Sequence, residues 1–219
     1  RQRPDTSRSR VDALVPKLLE ACRETPHPTA TALRGLDLLE AISRRAAYLA
    51  LLAEFPQALG QVARLIGASS WAAGYLVRHP ILLDELLDAR LLTAEPEWPA
   101  FEAALRVQLD ELGDDTERQM DTMRDAHHAQ VFRLLARDLA GELSVERLSD
   151  HLSALADVML RVTLDLCWRK LARRHRDTPR FAVISYGKLG GKELGYASDL
   201  DVIFLFDDDH ESAPEIYAR

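Results

Sequence analysis

Between Ser144 and about Arg173, apolar residues recur in alternating steps of three and four: Val145, Leu148, Leu152, Leu155, Met159, Val162 and Leu166. Asp, Arg and Glu fill the positions between them. Such a stripe occupies one face of an α-helix and cannot be laid along one face of a strand. A helix of about 30 residues runs roughly 45 Å at 1.5 Å per residue. One apolar stripe of that length has to pack against other helices, so the chain is committed to a helical bundle. Taken alone, this region describes a structural scaffold.

The residues before it agree. The pattern predicts helices over Val11–Arg23, Thr31–Glu54, Gln57–Ile66, Ser70–Arg78, Pro80–Leu87, Ala100–Leu112 and Asp115–Leu139. Phe55-Pro56 stops the second, because the residue before a proline avoids the helical region. Ser69 or Ser70 suits an N-cap and Pro80 a first helical position. Hydrophobic residues make up 47% of the 219 residues, charged residues 29% and aromatics 6%, a balance that fits a soluble, mostly helical protein. A net charge of −7 argues against general binding to nucleic acid, which needs clustered Lys and Arg. There is no run of about 18 apolar residues, so no membrane span is expected. Residues 1–10 read as a linker left by cutting a longer chain, since Arg1, Gln2, Arg3 and Pro4 precede no apolar signal segment. Cys22 and Cys167 read as packing cysteines of a reducing, cytoplasmic compartment. His127-His128 lacks an i, i+4 partner and is not expected to bind metal. Trp71, Trp98 and Trp168 read as core or boundary anchors. Arg169, Lys170, Arg173, Arg174, Arg176 and Arg180 crowd the end of the long helix. They suit its dipole, or an anionic nucleotide or partner.

At Phe181 the composition changes. Phe181-Ala182-Val183-Ile184-Ser185-Tyr186 is β-favouring and ends at Gly187. Gly187-Lys188-Leu189-Gly190-Gly191 and the short stretch Lys192-Glu193-Leu194 follow. A second β run begins near Ser198 and continues through Asp199-Leu200-Asp201-Val202-Ile203-Phe204-Leu205-Phe206. Its apolar residues do not alternate with polar ones, which predicts a strand buried on both faces. A Gly-Gly turn entering a helix presents backbone N–H groups that can cradle a phosphate, although alone it equally describes a tight turn. It has neither the P-loop spacing nor the dinucleotide fingerprint. Asp199 and Asp201, two apart on a strand, share a face. Two carboxylates within about 6 Å repel by roughly 3 kcal/mol at an effective dielectric near 20, so the pair calls for a cation, a shared proton or an exposed strand end. Mg²⁺ fits best, since it takes carboxylate oxygens and leaves places for water and phosphate.

The combination is more specific than its parts. Strand, Gly-Gly, short helix and Ser-Asp-x-Asp within about 25 residues resemble the site layout of the polymerase-β-like nucleotidyltransferases. Gly-Lys-Leu-Gly-Gly-Lys-Glu-Leu-Gly-Tyr-Ala-Ser-Asp-Leu-Asp-Val-Ile-Phe (187–204) further resembles the signature of glutamine synthetase adenylyltransferases. So do the stretch from Arg45 to Leu59 and the Trp71-Ala72-Ala73 to His79-Pro80-Ile81-Leu82-Leu83-Asp84 segment. The resemblance covers nearly all of the chain after residue 30. The form Glu-Leu-Gly-Tyr-Ala-Ser-Asp-Leu-Asp looks like the half that adds AMP, not the half that removes it.

That resemblance implies a multi-helix bundle (11–179) followed by the first strands of an α+β nucleotidyltransferase palm (180–219). It implies catalytic, metal-binding Asp199 and Asp201, with Gly190, Gly191 and Ser198 at the nucleotide phosphates. The reaction would be Mg²⁺-dependent transfer of AMP from ATP to a tyrosine of glutamine synthetase. A PII signalling protein would be a further partner and glutamine an effector. The family uses a third carboxylate on a later strand. Asp207, Asp208, Asp209 and Glu211 read instead as a solvated acidic turn, and Pro214–Arg219 as a helix cut short, with Ser212 as cap. The chain is thus expected to be a fragment, inactive alone. Two other readings stay open: a PII uridylyltransferase-like enzyme, and a non-catalytic helical docking module.

Overall fold

A computed structural model describes residues 5–218. The chain is mainly α, with eleven α-helices, one 3₁₀ helix and a two-stranded sheet among those residues. In order these are α1 (Asp5–Arg23), α2 (Pro28–Ile42), α3 (Ala46–Glu54), α4 (Pro56–Ala68), α5 (Ser70–Arg78), the 3₁₀ helix Pro80–Leu87 and α6 (Ala89–Thr93). Then follow α7 (Trp98–Glu111), α8 (Thr116–Leu139), α9 (Val145–Lys170), β1 (Phe181–Ser185), α10 (Gly187–Gly190), β2 (Val202–Phe206) and α11 (Ala213–Tyr217). They form two compact units. One takes in the chain up to Ala94 together with Phe132–Glu142; the other takes in Glu95–Val131 and everything from Leu143 onward. The change from helices to strands near residue 180 falls inside the second unit. Of the stretch read as linker, residues 1–4 lie outside the described residues. The rest is not linker, since α1 begins at Asp5.

The first unit is a helical bundle with a largely apolar centre. Leu14, Leu18, Leu38, Ile42, Leu49, Leu52, Ile66, Leu76, Leu82 and Leu83 are essentially inaccessible, each worth about 1.5–3 kcal/mol on burial. Ser69 caps α5 as expected, its Oγ accepting from Ala72 N–H at 3.2 Å. The expected helix over Thr31–Glu54 is two helices. Ser43 N–H and Arg45 N–H bond back only three residues, to Glu40 and Ile42. Arg45 then leaves the helical region at φ −110, ψ 87. Pro80–Leu87 winds as 3₁₀ rather than α. At Gly60, inside α4, nothing lies within 4 Å of where a Cβ would stand. Gly60→Ala is therefore expected to raise unfolding stability by about 0.5–1 kcal/mol, read from the urea midpoint at unchanged slope.

In the second unit, α9 carries the seam that the sequence predicts. Leu148, Leu152, Leu155 and Val162 are buried, Met159 and Leu166 are half-buried, and Val158, outside the predicted stripe, is buried as well. Val158 and Val162 pack on Leu105 and Leu109 of α7, with Trp98, Phe101, Met123, Ala126 and Met159 around them. Val145 departs from the seam at 75% exposure, because it is the first residue after the Ser144 cap and projects past the packed turn. Beside this core, Glu102 of α7 accepts from Arg106 at 2.8 Å and from Arg161 of α9 at 2.7 Å. Of the basic cluster, Arg169 reaches Asp110 at 2.7 Å and Lys170 reaches the Thr116 hydroxyl at 2.6 Å. Those two charges serve the packing of the unit. Cys22 is buried as expected, whereas Cys167 is exposed.

The strands pair antiparallel, with Phe181 opposite Phe206, Val183 opposite Phe204 and Ser185 opposite Val202. The expectation that β2 is buried on both faces is wrong: Ile203, Phe204, Leu205 and Phe206 are 44–58% exposed. On one face, a cavity of about 420 Å³ separates Phe181, Val183 and Phe204 from Leu160, Leu164 and Trp168 of α9. Ile203 and Leu205 alternate onto the opposite face. The apolar run meets the composition of a fully buried strand without having the layers to bury it.

Candidate active site

β1 delivers the chain to Tyr186, whose N–H donates to Asp201 O at 2.8 Å and so adds one bond to the hairpin ladder. The chain then turns at Gly187, which has φ +52, a region that L-residues with a Cβ enter only at a cost. The nearest atoms to a Cβ at Gly187 would all belong to the Asp201 side chain, its Oδ2 first. The absence of a side chain at Gly187 thus makes the seat for the Asp201 carboxylate. Gly187 opens the same glycine string as Gly190 and Gly191 but carries no sequence signal of this role.

The two glycines expected at the nucleotide phosphates are used differently from each other. A Cβ on Gly190 would lie 2.7 Å from Ser185 O, so Gly190 permits α10 to close onto the end of β1. Gly191, by contrast, has ordinary backbone angles (φ −82), and a Cβ there would meet nothing nearer than 3.5 Å. Packing places no demand on a glycine at that position. The amides of both are engaged within the turn, Gly190 N–H to Tyr186 O and Gly191 N–H to Gly187 O. They are not the outward-facing donors that the sequence suggested. The helix closes with Lys192 N–H on Leu189 O and Glu193 N–H on Lys188 O, the doubled bond of a Schellman ending. Lys192 itself holds the left-handed position at φ 54, a conformation costing about 1 kcal/mol in a residue other than glycine. Leu189 and Leu194 are buried beneath the turn. Ser198 Oγ accepts from Gly195 N–H at 2.9 Å, which fixes the approach to the acidic pair.

Asp199 and Asp201 are both exposed, and both precede β2, which starts at Val202. The same-face argument drawn from strand alternation therefore does not apply to Asp199, which stands in irregular chain. Asp201, held by its ladder bond and seated against Gly187, is the fixed member of the pair. Among the described residues no group of three or more His, Cys, Asp or Glu side chains is gathered as a metal site. Nor is any helix among them long and apolar enough to cross a membrane.

Residues 59–218 match the family model described as glutamate-ammonia ligase adenylyltransferase. The chain belongs to that family. Its similarity extends to bifunctional glutamine synthetase adenylyltransferase/adenylyl-removing enzymes. That of Aromatoleum aromaticum is 63% identical over the whole of this chain, and that of Chromobacterium violaceum 55% identical over the whole chain. That of Ralstonia nicotianae is 53% identical over 98% of it. The chain spans between 22 and 24% of the length of these relatives. The match with this family covers the Gly187–Asp201 turn just described as well as most of the helices before it.

In the acidic turn after β2, Asp207, Asp209 and Glu211 are exposed as expected, but Asp208 is not. The Asp208 side chain is fully buried and the His175 side chain 10% exposed. Arg176 forks onto Asp208, Nε at 2.9 Å and Nη2 at 3.1 Å, while His175 Nε2–H donates at 2.8 Å. The Tyr217 hydroxyl donates at 3.0 Å and His210 N–H at 3.1 Å. Burial by itself would raise the Asp208 pKa; the hydrogen bonds from His175, His210 and Tyr217, with the Arg176 charge, hold it down at about 2. A carboxylate with a depressed pKa stabilises the fold above the ordinary carboxylate range and loses that contribution as pH falls through its folded value. The stability advantage of the native chain over Asp208→Asn is expected to be constant at neutral pH. It should shrink as the pH falls from about 4 toward 2, measured by urea unfolding at each pH. An advantage independent of pH would contradict this. Ser212, expected to cap α11, makes no capping bond with its side chain among the described residues; its N–H donates to His210 Nδ1 instead.

Proposed function

We propose that this chain carries the start of the AMP-adding half of a bifunctional adenylyltransferase, which transfers AMP from ATP to a tyrosine of glutamine synthetase. On this reading the helical region, which begins with α1, ends near residue 179, and 180–219 open a nucleotidyltransferase palm. The observation that carries it is the Asp201 carboxylate seated against Gly187, inside a turn whose wording matches the adenylyltransferase signature.

The residues present fit a Mg²⁺ ion. Asp199 and Asp201 offer oxygen ligands only, and a magnesium ion is held by one or two carboxylates when water and substrate phosphates complete its shell. When bound, it would neutralise charge on the phosphate oxygens of ATP. Asp199 and Asp201 would hold the ion, and Gly187 would keep Asp201 in place. Gly191, where packing makes no claim on the missing side chain, would leave room for a phosphate beside the turn although its own N–H is engaged. Gly190 sets the helix against β1, and Ser198 orders the loop that leads to Asp199. The tyrosine oxygen would form its bond to the α-phosphorus as the bond to pyrophosphate breaks. A third carboxylate supplied outside this chain would complete the set, leaving the chain inactive alone. A PII protein as partner, glutamine as effector and a cytoplasmic setting follow from the family resemblance and belong to the same proposal.

The test is label transfer in a full-length enzyme carrying this segment. Labelled ATP should mark glutamine synthetase, labelled UTP should not mark PII, and Asp199→Ala/Asp201→Ala should abolish the signal with the fold retained. UMP transfer to PII would favour a uridylyltransferase. Tight binding of glutamine synthetase without any transfer would favour a docking module.

A further inference from the structure

We propose that Asp208 is a positioning residue for Asp201, acting as a clamp that fixes the register of the β1–β2 hairpin; this rests on the adenylyl-transfer reading of the site. The hairpin is closed at one end by the site loop and open at the other. Its ladder runs from Tyr186 N–H on Asp201 O, at the site, to Asp207 N–H on Arg180 O, at the open end. Register in a two-stranded sheet is ordinarily set by which side chains burial selects, since a slip of one residue exchanges the faces. Here burial selects weakly. Both residue sets of β2, Val202/Phe204/Phe206 and Ile203/Leu205, are apolar, and none of the five is buried. A slip of one residue would carry Asp201 about 3.3 Å along the strand and off its seat at Gly187.

Asp208 supplies what burial does not. It lies two residues beyond β2 and grips His175 and Arg176, which precede β1. It also accepts from Tyr217 of α11, whose hydroxyl in turn accepts from Arg180 N–H at 2.9 Å, at the entrance to β1. The carboxylate thereby joins both strands at the open end without using the ladder. Tyr217 is held in turn by stacking on Trp168, Phe206 and Phe181 with ring centroids 4.9–5.9 Å apart. His175 stacks on His210 at 4.1 Å, and its buried Nδ1 has no hydrogen-bond partner among the described residues. The ring is thus placed by Asp208 and by stacking, not by bonding at both nitrogens.

The experiment combines amide exchange on this chain with kinetics in a full-length enzyme carrying it, for Asp208→Asn, Asp208→Glu and Tyr217→Phe. Asp208→Asn should speed exchange at the Tyr186 and Asp207 amides by about tenfold or more while the α7 and α9 core amides keep their protection. It should lower kcat for AMP transfer by about tenfold with KM for ATP within about twofold, since a misplaced carboxylate weakens the transition state more than substrate binding. Tyr217→Phe should show the same local pattern at smaller size, and Asp208→Glu should recover part of the loss. The clamp is overturned if Tyr186 exchange is unchanged, or if exchange rises equally in the α7–α9 core, which would mean a general structural role. Should Asp208→Asn not fold, Tyr217→Phe is judged on the same two criteria. Undiminished transfer in Asp201→Asn would instead sink the enzymatic reading and leave the exchange result to decide the clamp.

Discussion

Asp201→Asn is expected to lower AMP transfer by about a thousandfold or more, the equivalent of roughly 4 kcal/mol of transition-state stabilisation. Asn keeps the size and one oxygen of Asp but loses the negative charge that would hold a divalent ion. The residue is exposed, and its backbone carbonyl, which takes the ladder bond from Tyr186, is untouched. Unfolding free energy should therefore change by less than about 0.5 kcal/mol, as for surface substitutions generally. A large activity loss with preserved stability separates a ligand role from a structural one. Loss of both together would point to misfolding. The measurement is initial-rate AMP labelling of glutamine synthetase across Mg²⁺ concentrations, alongside urea unfolding.

Gly187→Ala should be nearly as damaging, for a geometric reason. Two costs coincide at this residue: a positive φ and a Cβ position occupied by the Asp201 carboxylate. The first costs about 1 kcal/mol of stability. The second can be relieved only by moving Asp201 off its seat, and a displacement of about 1 Å in a catalytic group is worth roughly a hundredfold in rate. Activity is accordingly expected to fall at least about a hundredfold while stability falls by about 1 kcal/mol. Gly191→Ala is the internal control for stability. Its φ is ordinary and the nearest atom to a new Cβ is 3.5 Å away, so its unfolding midpoint should barely change. If Gly187→Ala and Gly191→Ala destabilised alike, the seat at Gly187 would lose its physical basis.

Much of this architecture can be read from residue order because local chemistry suffices for it. Ser69 ahead of an apolar run places the start of α5 and Pro80 its end, and the three-four spacing places α9 from Leu148 to Val162. The break between α2 and α3 is invisible in that sense, because Ser43-Arg44-Arg45 contains neither proline nor glycine. It arises from two short backbone bonds and the packing of α3. Within the site, the glycine string and the acidic pair are legible as a pattern. That Gly187 seats Asp201 is not, because the two residues are fourteen apart and meet only when the hairpin closes. Asp208 is the clearest case. Its neighbours Asp207 and Asp209 resemble any solvated acidic turn, while its partners His175 and Arg176 lie more than thirty residues away. The exposure of β2 was equally hidden, since composition states what a strand prefers and not which layers reach it.

Asp199 and Asp201, beside the glycine turn, are expected to hold one ion between them. Crystals of a full-length enzyme carrying this segment, grown with Mn²⁺ in place of Mg²⁺ and an ATP analogue that cannot be cleaved, would locate it by anomalous scattering. A peak is expected about 2.1 Å from carboxylate oxygens of Asp199 and Asp201, as for a small hard cation, with the triphosphate lying against Gly191. A peak elsewhere, with the nucleotide bound but both carboxylates facing open water, would contradict that placement.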